Sequence, residues 1–393
     1  MKRLSSVVAL WLALLWVAAG ASTQTAWLSA PQSVVPGIDY FTSTDASLVD
    51  PGGPAGPAGP IAVFMLRLDP QAARLRSVHA NDEIMGLETV DSMARRHNAT
   101  AAVNGGFFNV TNGDPQFVLK EAGELVSDTS VVKGGMLIRS PAKGKTELAF
   151  DQLSAQVTLA FKAAGRDWNV PVAGVNTTRA RGKLMLYTPK YHADTDTAAN
   201  GTEWVVSGKP LRVTEVRRDA GRTPIPRDGN VLSFGGLDLP EDLAALTAGT
   251  RVAFTTNWRT INGLSSGRLN AAEDVVTGAG LLRVKGRAIS NWQQVESLNP
   301  QTFINMRHPR TLIGVDNKGL IWLAVIDGRQ PAHSVGMNFA DLQRLSDRLR
   351  LTDALNLDGG GSTTMVVQGK IVNKPSDPMG PRRVSDAILV TGR

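Results

Sequence analysis

Two apolar segments of this chain end in the same way. Residues 320–326 run into Asp327, Gly328 and Arg329, and residues 355–357 run into Asp358 and three consecutive glycines. Between them Asn338 and Asp341 stand three apart, the spacing of a helix N-cap with its reciprocal partner. Phe339, Leu342, Leu345 and Leu349 then recur on one helical face. The order is strand, helix, strand. A parallel crossover would bring both carboxylates out at one end of a sheet. The spacing predicts parallel pairing there and nowhere else.

The stretch after Leu357 reads as strand, glycine turn, strand, with Ser362 and two threonines before apolar character resumes at Met365. Core packing does not call for three glycines in a row. They let backbone N–H groups converge on an anion, or they form a tight turn that Asp358 closes. A carboxylate pair with arginines nearby suits hydrolysis of an anionic glycoside.

Elsewhere the pattern is rich in strands. IAVFMLRL at 61–68 reads as a buried strand, and 87–97 as a helix with Val90 and Met93 facing inward. AAVNGGFFN at 101–109 presents Asn104 at a strand end beside two glycines. Glu273 and Asp274 precede a glycine turn, and Arg310 precedes another apolar run. Residues 240–249 form a short helix. The acidic loop 191–201 lacks the ligand order and closing Glu of an EF-hand. The expected fold class is α+β, a mixed, curved β-sheet with a few packed helices.

With no cysteine, disulfides, thiolate metal sites and cysteine nucleophiles are excluded. No His/Asp cluster has metal-ligand spacing, so no metal or other cofactor is expected. The net charge of +7 is scattered rather than gathered into runs, and gives no reason to expect a nucleic-acid partner. Residues 1–3 are basic and 7–19 apolar, and Ala19, Gly20 and Ala21 offer small residues for cleavage. The expected organisation is a signal peptide at 1–21, an N-terminal extension with a Pro/Gly linker at 22–60, and one domain at 61–393. The expected location is secreted or periplasmic, with no stable membrane insertion after cleavage.

NGGFF, HPRTLIG, DGR, the helix at 338–350, NLDGGGS, PSD and the closing PRRVSDAILV together resemble the phosphodiester glycosidase family. The resemblance runs from about residue 61 to the C-terminus. It implies hydrolysis of the C1–O bond of a sugar 1-phosphodiester, for example an N-acetylglucosamine 1-phosphodiester in cell-envelope or exopolysaccharide material. A sugar 1-phosphodiester or a phosphoglycan is then the partner. The leaving group is already a stabilised anion. The demand therefore falls on an oxocarbenium-like sugar and on the phosphate charge.

Asp358 and Asp327 are the candidate catalytic groups. Arg310 and Arg382 are candidates for the phosphate, with Gly359, Gly360, Gly361 and Ser362 as further donors. Asn104 and Asp377 are candidates for the sugar hydroxyls. The chain departs from many bacterial relatives at one place. They read GERPVANA where it reads GPRRVSDA at 380–387, so Pro381 stands for Glu and Asp386 for Asn. Two other readings are a non-enzymatic cell-envelope glycan-binding protein and a phosphoesterase that cuts P–O.

Overall fold

The protein is described by a computed structural model covering residues 27–51, 58–236 and 238–393. The expected signal peptide, residues 22–26 and part of the linker lie outside the described residues. The elements that build the site are, in chain order, β1 (Val63–Leu68), β2 (Ala73–His79), α1 (Val90–Arg96), β3 (Ala101–Asn104), β4 (Leu119–Glu121), β5 (Asp274–Thr277), β6 (Leu281–Val284), β7 (Arg310–Asp316), β8 (Ile321–Ile326), α2 (Phe339–Arg348), β9 (Leu351–Asn356), β10 (Met365–Val367) and β11 (Asp386–Gly392).

The largest sheet has eight strands. From one edge the order is Gln32–Val35, Ile38–Ser43, β1, β8, β7, β9, β6 and Arg287–Ala288. All its ladders are antiparallel. β8 is apolar throughout because both its faces are covered. Ile321, Leu323 and Val325 face a core shared with Leu66 and Leu68 of β1. Trp322, Ala324 and Ile326 pack with Phe339, Leu342 and Leu345 of α2. α2 starts as the sequence predicts: the Asn338 side chain accepts from the Asp341 amide, and the Asp341 side chain accepts from the Asn338 amide.

The fold is α+β but dominated by sheet. The main sheet is antiparallel rather than mixed. Among the described strands the parallel ladder joins Gly174–Val175 to Leu184–Tyr187, far from the predicted crossover. β8 and β9 do run in the same direction, yet they are not neighbours. β7 lies between them and pairs antiparallel with each. β7 forms a hairpin with β8 before α2 begins, so α2 carries the chain across β7 to its free edge. The C-terminal ends of β8 and β9 therefore lie at the same end of the sheet, two ladder spacings or about 10 Å apart.

A five-stranded sheet, ordered Lys370–Ile371, β10, β3, β11 and β2, lies against this end. Residues between 157 and 252 build a separate apolar core around Trp204 and Leu232. Among the described residues no helix is long and apolar enough to cross a membrane.

Candidate active site

The chain leaves β9 at Asn356, and Asp358 starts the glycine turn. The Asp358 amide donates to the Gly105 carbonyl at 3.1 Å, and its own carbonyl accepts from Asn104 Nδ2 at 2.8 Å. NGGFF and the glycine turn are thus stitched together. Asn104 Oδ1 accepts from the Thr311 hydroxyl at 2.7 Å and faces the Thr364 amide at 3.3 Å. Its side chain is buried and joins β3, β7 and the turn.

The Asp358 carboxyl is half-buried. Its Oδ1 accepts from the Gly359 amide at 2.7 Å. Burial raises its pKa to about 6, opposed by the neighbouring Ser362 hydroxyl, the Gly359 amide, Arg382 and Arg329. The Gly360 amide donates to the Pro309 carbonyl. Two of the three glycine amides are therefore taken up within the protein, one by Asp358 and one by the loop before β7.

The glycines have a second use, which is space. A Cβ on Gly361 would lie 2.2 Å from both Arg382 Nη2 and Asp377 Oδ1. A Cβ on Gly360 would lie 3.1 Å from the Arg329 guanidinium, and its φ of +61° favours glycine. Two arginines therefore rest directly on the turn. Arg382 and Asp377 hold each other through two hydrogen bonds, Nε to Oδ2 at 2.8 Å and Nη2 to Oδ1 at 3.1 Å. Arg329 Nη2 donates to His308 Nδ1 at 3.3 Å, while His308 Nε2 meets the Thr302 carbonyl at 3.0 Å. Those partners suit a neutral His308, and burial lowers its pKa.

Arg310 sits elsewhere. It is 1 % exposed and donates to the carbonyls of Met337, Phe303 and Met306. Its guanidinium lies 4.8 Å from the Phe303 ring centroid and 5.1 Å from that of Phe339. Burial pulls its pKa down to about 9; Arg329 adds to this and Asp358 opposes it. Arg310 shares a strand face with Leu312, against α2, so it underlies the site and ties together the loop before β7.

Asp327, at the end of β8, is 1 % exposed. Its Oδ1 accepts from Asn373 Nδ2 at 2.9 Å; its Oδ2 accepts from the Lys374 amide at 2.9 Å and from His333 Nε2 at 2.8 Å. Asn373 also binds the Thr363 carbonyl and the Met365 amide. Asp327 thereby reaches the glycine turn through Asn373. The His333 side chain stays 35 % exposed on its buried support. Glu273 and Asp274, which precede a glycine turn in the sequence, are held by backbone amides. Glu273 accepts from the Ser140 amide, and Asp274 from the Ser77 and Ala122 amides.

Three groups were missing from the sequence-based set. Arg329 lies in DGR, two positions after Asp327. His333 follows Asp327 by six positions, inside the turn closed by the Gln330 to Ser334 bridge. Asp386 is buried behind Gly105 and Gly106, and the Gly106 amide lies 3.1 Å from each of its carboxyl oxygens. Its signals in the sequence are the glycines of NGGFF, which leave room for it, and its place in GPRRVSDA. Among the described residues no cluster of three His, Asp or Glu side chains is placed to hold a metal ion.

The phosphodiester glycosidase sequence model matches residues 200–391. Residues 200–391 belong to the phosphodiester glycosidase family. The bovine N-acetylglucosamine-1-phosphodiester alpha-N-acetylglucosaminidase is 35% identical over 104 residues, 25% of this chain and 19% of that protein. The chain thus spans about a fifth of the length of that relative. Two solved structures share the fold. A protein from Burkholderia pseudomallei K96243 has a TM-score of 0.74 at 22% identity, covering 93% of this chain and 96% of its own. One from Synechocystis has a TM-score of 0.73 at 23% identity, covering 91% of this chain and 63% of its own. The phosphodiester glycosidase segment carries Arg310, Asp327, Arg329, Asp358, Asp377 and Arg382. The site also takes Asn104 and Gly105 from before it.

Proposed function

We propose that the chain is an exported glycosidase that hydrolyses the C1–O bond of a sugar 1-phosphodiester. The observation that carries this reading is one half-buried carboxylate, Asp358, on a turn whose next glycines hold Arg329 and the Arg382–Asp377 pair. The substrate brings two charges to manage: a phosphate that is anionic throughout and a sugar carbon that becomes cationic. Asp358 meets the developing cation, as nucleophile, base or electrostatic partner. Arg329 and Arg382 meet the phosphate. His333, oriented by Asp327, is the proton carrier that activates water.

The bovine relative's name makes an N-acetylglucosamine 1-phosphodiester the first substrate to try, in cell-envelope or exopolysaccharide material. The domain runs from about residue 61, because Asn104 and Gly105 are part of the site. The basic start, apolar run and small residues of 1–21 support export.

Turnover in ¹⁸O-water tests the chemistry. The reading predicts label in the released sugar. Label in the phosphate means P–O cleavage, and glycan binding without any turnover means a binding protein; either result overturns it.

A further inference from the structure

We infer that Asp386 is a positioning residue of this site: buried behind Gly105 and Gly106, it carries a proton while Asp358 is ionised, and so keeps the negative charge at the open side. The inference rests on the reading of Asp358 as the anion of the site.

Gly105 separates the two carboxyl groups. Its carbonyl accepts from the Asp358 amide at 3.1 Å, and its amide donates to the Asp386 carbonyl at 3.0 Å. A Cβ on Gly105 would lie 2.1 Å from Asp386 Oδ2, so the carboxyl lies directly against that backbone. The hydrogen-bond donor to the Asp386 carboxyl among the described residues is the single amide of Gly106. One N–H is little for two desolvated oxygens.

The charged groups around it make ionisation harder. Glu121 of β4 and Asp358 face Asp386 as like charges, and His79 of β2 partly offsets them. Glu121 is bound to His79 Nδ1 and to the Ser77 hydroxyl. Asp274 of β5 stands beyond it, with Arg76 nearby. Asp358, by contrast, has Arg329, Arg382 and the Gly359 amide to hold its anion. Burial is the largest cause on both sides, raising Asp386 to about 7 and Asp358 to about 6. Of two coupled carboxyls, the better-supported one ionises first.

Asp386→Asn is a neutral isostere that still accepts from Gly106. The carboxyl resonances of ¹³C-aspartate-labelled protein, assigned with Asp358→Asn and Asp386→Asn, follow both titrations without substrate. The expected result is that Asp358 titrates first in the wild type. Its midpoint then stays in place in Asp386→Asn, within about 0.3 of a pH unit, because its neighbour was neutral already. With substrate, KM in the wild type rises above about pH 7 as a second negative charge forms, and Asp386→Asn lacks that rise. A midpoint for Asp358 that drops by about a unit or more in Asp386→Asn would show that Asp386 ionises first, and would overturn the inference. So would an Asp386 resonance that titrates below that of Asp358 in the wild type, a result that needs no folded variant at 386. Absence of turnover on any sugar phosphodiester would remove the proposed function while leaving the two midpoints readable.

Discussion

Arg382 and Asp377 hold each other through a two-pronged ion pair, at 2.8 and 3.1 Å, and Gly361 has no side chain because that pair occupies the space. The pair fixes the plane of the Arg382 guanidinium beside the turn that carries Asp358. It makes the arginine a directed donor and Asp377 its support.

Removing Arg382 separates binding of phosphate from binding of sugar. Arg382→Ala is expected to weaken a sugar 1-phosphodiester by about 10-fold or more, the scale of one charge-assisted contact, and the free sugar much less. Asp377→Asn should give the same pattern in a milder form. Calorimetric titration with both ligands checks this; equal losses would leave Arg382 a purely structural role.

Gly361→Ala places a methyl group against the ends of two side chains. Those ends can move, so the fold should survive with only a small fall in Tm. The pair is then displaced from the turn, and KM for the phosphodiester should rise. A variant with unchanged KM would detach the pair from substrate binding.

Arg310 should behave differently. Arg310→Met leaves the carbonyls of Met337, Phe303 and Met306 without their buried donor, and each unsatisfied group costs about 1–3 kcal/mol. The expected outcome is a fall in Tm of several degrees or failure to fold, in place of a selective loss of phosphate affinity. Thermal melts alongside ligand titration distinguish the two.

Asp386 also sets a pH dependence of stability. Its folded pKa, about 7, lies above the ordinary carboxyl value near 4. The folded state therefore binds the proton more tightly than the unfolded chain. Its contribution is fully present below about pH 4 and is lost as pH rises through about 7. Asp386→Asn should thus raise Tm relative to the wild type at pH 8 and leave it nearly unchanged at pH 4. Melts at the two pH values test this, and a difference of the opposite sign would contradict the raised value.

Much of this edge was readable from local patterns. The Asn338 cap, the apolar stripe of α2 and the two Asp-Gly endings depend on neighbours within a few positions. What local pattern does not carry is which strand lies between two others, so the antiparallel β7 displaced the expected parallel pair. Arg310 did leave a local signal: strand alternation groups it with Leu312, beneath α2, and not with Thr311. Asp327 looked like a free carboxylate because its partners, His333, Asn373 and the Lys374 amide, come from later turns. Asp386 meets Gly105 only across 281 positions of chain, through the pairing of β3 with β11.

The most direct measurement is kcat of Asp358→Asn on a sugar 1-phosphodiester, taken with its Tm and with the wild-type pH profile. The account predicts a normal Tm and a kcat lower by about 10²–10⁴-fold, since Asn keeps the turn but not the charge. In the wild type, activity should rise with pH through about 6, where Asp358 ionises, and not through the ordinary carboxylate range near 4. A near-normal kcat in a well-folded Asp358→Asn protein would contradict the account and leave the glycine turn as a seat for the arginines alone.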